Sequence, residues 1–211
     1  MSEDILEGIA GKAHEYFSVQ NRARERALPI CRQMIQNSSK AIRSAHRGQR
    51  EEAARLLGAN ATLNSELLQS VEDSEEIRQA GFVHDAQKEY AEACLTVAII
   101  QEERTPGPDE LDVAVPAYLN GLGEVVGELR RFILDSLRRG DTSRCETLLD
   151  TMDEIYGILM GMDYPDVVTH GLRRNSDAAR GLIERTRGDL TNALRQEALE
   201  TRLAEFEGRL G

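Results

Sequence analysis

Two groups of acidic residues stand out by spacing. From Tyr90 to Ile100 the chain is nearly all apolar, with Tyr90, Ala91, Ala93, Leu95, Val97, Ala98, Ile99 and Ile100. Asp85, Glu89, Glu92 and Thr96 punctuate this region at steps of four, three and four. On an α-helix those steps place all four in one narrow polar stripe. A helix that is apolar on most sides is buried on most sides. A carboxylate there needs an Arg, a hydrogen-bond network or a metal ion, because burying it alone is expensive. Two readings follow. The stripe is the solvated or Arg-paired edge of the helix, or it is a hard-cation site with Glu89 and Glu92 as oxygen ligands.

The second group is Glu124 and Glu128, four residues apart in PAYLNGLGEVVGELRRFILDSL. They share a face largely opposite the apolar stripe of Tyr118, Leu122, Val125, Val126, Leu129, Phe132, Ile133 and Leu137. Gly121, Gly123 and Gly127 lie beside them. Each mid-helix glycine costs about 1 kcal/mol relative to alanine, so three suggest a close approach by another backbone or a ligand. An exposed acidic face with glycines for helix packing is the simpler reading. GLGEVVG is not a dinucleotide loop, since its spacing is wrong and no strand precedes it. A cationic row, Arg32, Lys40, Arg43 and Arg47, opposes the apolar stripe of the first helix, with Arg50 just beyond. It is either an ordinary solvated face or a set of phosphate contacts. His14, His46, His84 and His170 are scattered, and no GxSxG elbow, Walker loop or paired CxxC occurs. Asp153 and Glu154 offer further carboxylates without a pattern to recommend them.

The elements that must carry these residues are helices. With 211 residues, 40% of them apolar, the chain is long enough for one domain with a substantial core. No segment alternates with β-branched enrichment, so no sheet is expected. A first helix spans about 4–47, with Pro29 kinking or breaking it, and a second about 49–71. VEDSEE and a short helical turn connect to a third over about 83–103. TPGPDE, residues 105–110, is a loop. A fourth helix starts near Pro116 and ends before Gly140, and a fifth covers about 142–160. DYPD, residues 163–166, is a turn from which a sixth helix runs to Phe206, with a break near Gly188. The expectation is an all-α, single-domain bundle of six to seven helices over residues 1–211, with 191–211 a C-terminal amphipathic extension.

The formal charge of −11 argues against a non-specific DNA coater. Only Lys12, Lys40 and Lys88 are lysines among 26 basic residues. Acid excess with so few lysines suggests a high-salt, halophilic cytoplasm, where net charge reflects the solvent more than the ligand. The most apolar stretch is far too short to span a membrane. The acidic N-terminus has no signal-peptide pattern, and Cys31, Cys94 and Cys145 are isolated. A reducing, cytoplasmic location is therefore expected.

Over roughly residues 20–190 the chain resembles the translin superfamily, and within it the Trax-like branch. RERALPICRQMIQNSSKAIRSAHRG is similar to the family's long N-terminal helix. Gln87-Lys88-Glu89-Tyr90-Ala91-Glu92-Ala93 resembles the QEYVEA segment of Trax proteins. Pro116-Ala117-Tyr118-Leu119 and Gly127-Glu128-Leu129-Arg130-Arg131 are similar to the helix that follows, and Arg187-Gly188 to the closing RG. DYPDVVTHGLRRNSDAARGLIERTRGDL looks like archaeal members. The resemblance implies an all-helical protein that assembles into a hollow eight-subunit shell and binds RNA, single-stranded or as a short duplex. In the Trax branch it implies RNA cleavage with Mg²⁺ or Mn²⁺. The family's acidic site falls on Glu89, Glu92, Glu124 and Glu128, as metal ligands and catalytic residues of an endoribonuclease. Arg32, Lys40, Arg43 and Arg47 would hold the RNA backbone. Position 124 is Glu where the family usually has Asp. Translin itself lacks the full acidic set, so a non-catalytic single-stranded nucleic-acid binder is the alternative.

Overall fold

A computed structural model describes residues 3–210. Among them no strand occurs, and there are nine helical segments rather than the six or seven expected. Six are long: α1 (Glu3–His46), α2 (Arg50–Ser70), α4 (Gly81–Gln101), α6 (Val115–Arg138), α7 (Cys145–Met160) and α9 (Leu172–Leu210). The other three are single turns: α3 (Glu75–Arg78), the short turn expected after VEDSEE, and two not expected, α5 (Pro108–Leu111) and α8 (Asp166–Thr169). Capping accounts for two of them. Ser74 Oγ accepts the Ile77 amide at 3.3 Å to start α3. Pro108 opens α5, and Glu110 Oε1 accepts the Gly107 amide at 2.9 Å. Part of the expected 105–110 loop is therefore helical. The last long helix begins later than the DYPD turn, because His170 and Gly171 adopt positive φ (52° and 82°) and end α8 first.

Two expected breaks are absent. α1 runs unbroken through Pro29. Pro29 is exposed, so the backbone bond it forfeits lies on the solvent side. The opposite side is tied down by Ala23, Ala27, Cys31, Met34, Ala41 and Ala45, all buried. α9 likewise continues through Gly188, which has open space where a Cβ would go.

The chain divides into two compact units, one ending at Gly121 and the other starting at Leu122, so the boundary falls inside α6. In the first unit α1 packs on α2, α3 and α4. Its core gathers Ala27, Cys31 and Met34 of α1, Leu67 of α2, and Ala86, Tyr90 and Ala91 of α4. Cys31 and Cys94 are core thiols, as their places on apolar faces imply; burial pushes them up to about 11 and about 12. In the second unit α7 packs on α9. Buried residues on α9 recur at 172, 176, 179, 183, 186 and 190, a helical period. Arg187 Nη2 donates to Asp153 Oδ2 at 2.6 Å, tying α9 to α7. Residues 195–209 are all exposed, including Leu199, Leu203 and Phe206. Among the described residues no helix is long and apolar enough to cross a membrane.

Candidate metal centre

α4 is buried on nearly every side, with positions 90–98 all buried. Its polar stripe therefore runs from solvent into the core. Asp85 is exposed, Glu89 is half-buried, Glu92 is 8% exposed and Thr96 is fully buried. That gradient removes the solvated-edge reading for the inner two residues.

α6 reaches this stripe through a glycine. A Cβ on Gly121 would lie 2.6 Å from the Lys88 carbonyl oxygen, 3.0 Å from the Glu92 amide nitrogen and 3.2 Å from Ala91 Cβ. Only a hydrogen fits, so the α6 backbone rests on the α4 backbone at this point. Glu124 follows Gly121 by three residues on the same unbroken helix. Glu89, Glu92 and Glu124 each offer a carboxylate oxygen, and the three lie within 4.8 Å of one another. The other two glycines serve differently. A Cβ on Gly123 would meet Asn175 Cβ at 3.1 Å, and one on Gly127 would make ordinary contact with Leu182 at 3.8 Å.

A buried amide relay sets the entry to α6. Gln87 Oε1 accepts the Ala114 amide at 3.2 Å, and Gln87 Nε2 donates to Asn64 Oδ1 at 3.2 Å. Asn64 Nδ2 in turn donates to the carbonyls of Leu111 (3.2 Å) and Asp112 (2.8 Å). The loop before α6 is thus pinned to α2 and α4 together, one residue away from Lys88 and two from Glu89. Neither Gln87 nor Asn64 has a functional signal in the sequence. The available cue was an amide on a helix whose neighbours are apolar, which must find partners if buried.

The sequence candidates are distributed as follows. Glu89, Glu92 and Glu124 come together. Glu128, one turn further along α6, is outside that group and has Arg131 Nη1 at 3.7 Å from its Oε2. Arg32, Lys40 and Arg43 are exposed along α1, and Arg47 is exposed just past its end. Arg130, inside the Gly127–Arg131 motif, is a structural tie. It donates to Thr186 Oγ1 at 2.9 Å and to Asp189 Oδ2 at 2.8 Å. Sequence reading gave Lys88 no role, yet its Nζ lies 3.4 Å from Glu89 Oε1 with the side chain only 17% exposed.

The donor set suits a hard divalent cation. All three ligating groups are carboxylates, the oxygen donors that Mg²⁺ and Mn²⁺ prefer. Oxygens on opposite sides of a six-coordinate Mg²⁺ are about 4.2 Å apart, so a 4.8 Å spread needs only rotamer adjustment. One turn beyond Glu92, Thr96 Oγ1 is buried without a hydrogen-bond partner. That end of the stripe has unspent polar capacity.

No family model matches the chain. Over 193 residues it is 28% identical to an uncharacterized protein of Methanocaldococcus jannaschii, covering 91% of this chain and 86% of that one. Two solved structures are more similar in sequence. AfC3PO, in a complex with duplex RNA, superposes with a TM-score of 0.75 at 36% identity, covering 90% of this chain and 97% of that chain. A second AfC3PO crystal structure gives 0.74 at 36% identity over the same shares. NeC3PO in its apo form gives 0.76 at 20% identity, covering 88% and 96%, a likeness of fold alone.

Proposed function

The chain belongs to the translin superfamily, and on that premise we propose that it is an RNA-binding, divalent-metal-dependent endoribonuclease. The observation that carries this reading is that Glu124 of α6 offers a carboxylate oxygen within 4.8 Å of those of Glu89 and Glu92, which lie on a helix too buried for an idle acidic stripe. The RNA part is supported by the duplex RNA bound to AfC3PO.

Glu89, Glu92 and Glu124 would hold Mg²⁺ or Mn²⁺. Glu128 would complete the set by releasing Arg131 and turning toward Glu124, one helical turn away. A bound divalent ion supplies charge neutralisation at the phosphate and an activated water for phosphodiester hydrolysis. The residues themselves orient the reacting group. Glu92, the most buried of the three, excludes bulk water from its side of the site, while half-buried Glu89 and Glu124 leave a side open to substrate. Arg32, Lys40, Arg43 and Arg47 would bind successive phosphates without reading bases, and cytoplasmic RNA, single-stranded or in a short duplex, is the substrate class. The exposed apolar residues Leu199, Leu203 and Phe206 support assembly into a homo-oligomer, an octamer by family analogy.

The test is purified protein with a 5′-labelled single-stranded RNA, in Mn²⁺ or EDTA, alongside Glu92→Ala. Cleavage should require Mn²⁺ and disappear in the variant, with RNA retained by both proteins. Intact RNA throughout, with binding preserved, would overturn the enzyme reading and leave a translin-like binder, for which the extra methylene of Glu124 is the ready cause. Binding is measured over a range of salt, because phosphate contacts weaken steeply with ionic strength.

A further inference from the structure

Three carboxylate oxygens within 4.8 Å on partly or fully buried residues repel one another, and the cost of holding them so must be offset. Lys88 stands at this group. Its ammonium is 3.4 Å from Glu89 Oε1, and its side chain is 17% exposed against 29% for Glu89. The carbonyl of the same residue is the first atom that a Cβ on Gly121 would meet, so Lys88 sits where α6 rests on α4. The residue type matters as well. Lysine is used three times in this chain against 23 arginines (26 basic residues less Lys12, Lys40 and Lys88). An arginine fork would grip a carboxylate in a fixed two-point geometry, whereas an ammonium on a four-carbon stem is a point charge that can swing aside.

We propose that Lys88 is the resident cation of the carboxylate group. It neutralises Glu89 and its neighbours in the metal-free protein, yields when a divalent ion enters, and so sets the metal concentration at which the site loads. This rests on the metal-site reading above and adds a residue that competes with the metal rather than binding it. The sign follows from Coulomb's law. A fixed positive charge near a dication weakens its binding, by about tenfold at a separation of about 6 Å even with the dielectric of water. Partial burial raises that figure, and it also limits screening by salt.

The experiment is Mn²⁺ titration by calorimetry on the full chain, at one salt concentration, for wild type, Lys88→Met and Lys88→Arg, with thermal unfolding in EDTA and in Mn²⁺. Lys88→Met should bind Mn²⁺ at least about tenfold more tightly than wild type. It should also unfold at a lower temperature in EDTA and recover that loss when Mn²⁺ is added. Lys88→Arg, which keeps the charge, should bind no more tightly than wild type. Should Lys88→Met fail to fold in EDTA, Lys88→Gln, which keeps a polar end, replaces it in the same titration. Equal or weaker Mn²⁺ binding by the neutral variants, with wild type binding normally, overturns the role of Lys88 and leaves the metal site standing. No Mn²⁺ binding by any of the proteins overturns both.

Discussion

Replacing Gly121 by alanine tests whether the approach of α6 to α4 is what assembles the carboxylates. The new methyl would sit 2.6 Å from the Lys88 carbonyl oxygen, where ordinary contact begins at about 3.4 Å. The two backbones must separate by about 0.8 Å, the difference between those distances. Neither can yield locally, because the obstruction is main chain inside a buried helix. Overpacking of this kind costs about 1–3 kcal/mol, while replacing a mid-helix glycine returns about 1 kcal/mol of helix propensity. The net loss of stability is therefore small, about 0–2 kcal/mol. Function should suffer far more. Glu124 rides on α6 three residues beyond the clash and moves with it, and a misplacement of about 1 Å can cost about 10²-fold in rate. The assay is single-turnover, Mn²⁺-dependent cleavage of a labelled RNA, with thermal unfolding measured on the same preparations. Gly188→Ala is the companion. It introduces a methyl into open space on α9, so it should raise stability by up to about 1 kcal/mol and leave cleavage unchanged. A folded Gly121→Ala protein that cleaves RNA and binds Mn²⁺ like wild type would refute the argument that this contact sets the geometry.

Two further outcomes follow from contacts away from the acids. Gln87→Ala leaves the Ala114 amide and Asn64 Oδ1 without their partner, and should lower stability by about 2–4 kcal/mol, seen as a reduced midpoint in urea with unchanged slope. At low pH, Glu110 gives a signature of its own. The Arg104 guanidinium, and then the Gly107 amide, lower its carboxyl from 4.5 to about 2. Because the folded value is depressed, the stability this carboxylate contributes is complete above pH 4.5 and disappears as pH falls toward 2. Glu110→Gln should flatten that part of the stability–pH curve, and a Glu110 carboxyl that titrates near 4.5 by NMR would contradict the pairing.

Much of this was legible one residue at a time. Helical period located all six long helices, and the same period in α4 singled out Glu89 and Glu92 before any partner was known. Three glycines in α6 marked a close approach. The positions where the reading failed share a cause. Pro29 was expected to kink or break α1, and no break occurs, because its missing bond lies on the solvent side while the buried side holds the helix together. The single turn α5 exists through the capping contact of Glu110, too short to carry a periodic signal.

The sequence by itself determined the six long helices, the acids on α4 and α6, and the family to which they point, because those depend on residue order and on a repeat of 3.6 along one segment. Only the tertiary structure decided which glycine touches a backbone, which carboxylates meet, and that Lys88 lies beside them. Distances between residues 88, 92 and 121 depend on how two helices pack, and there the relay from Asn64 and Gln87 to the α6 entry loop joins three segments far apart in the chain. Periodicity within one helix carries no information about its distance from another.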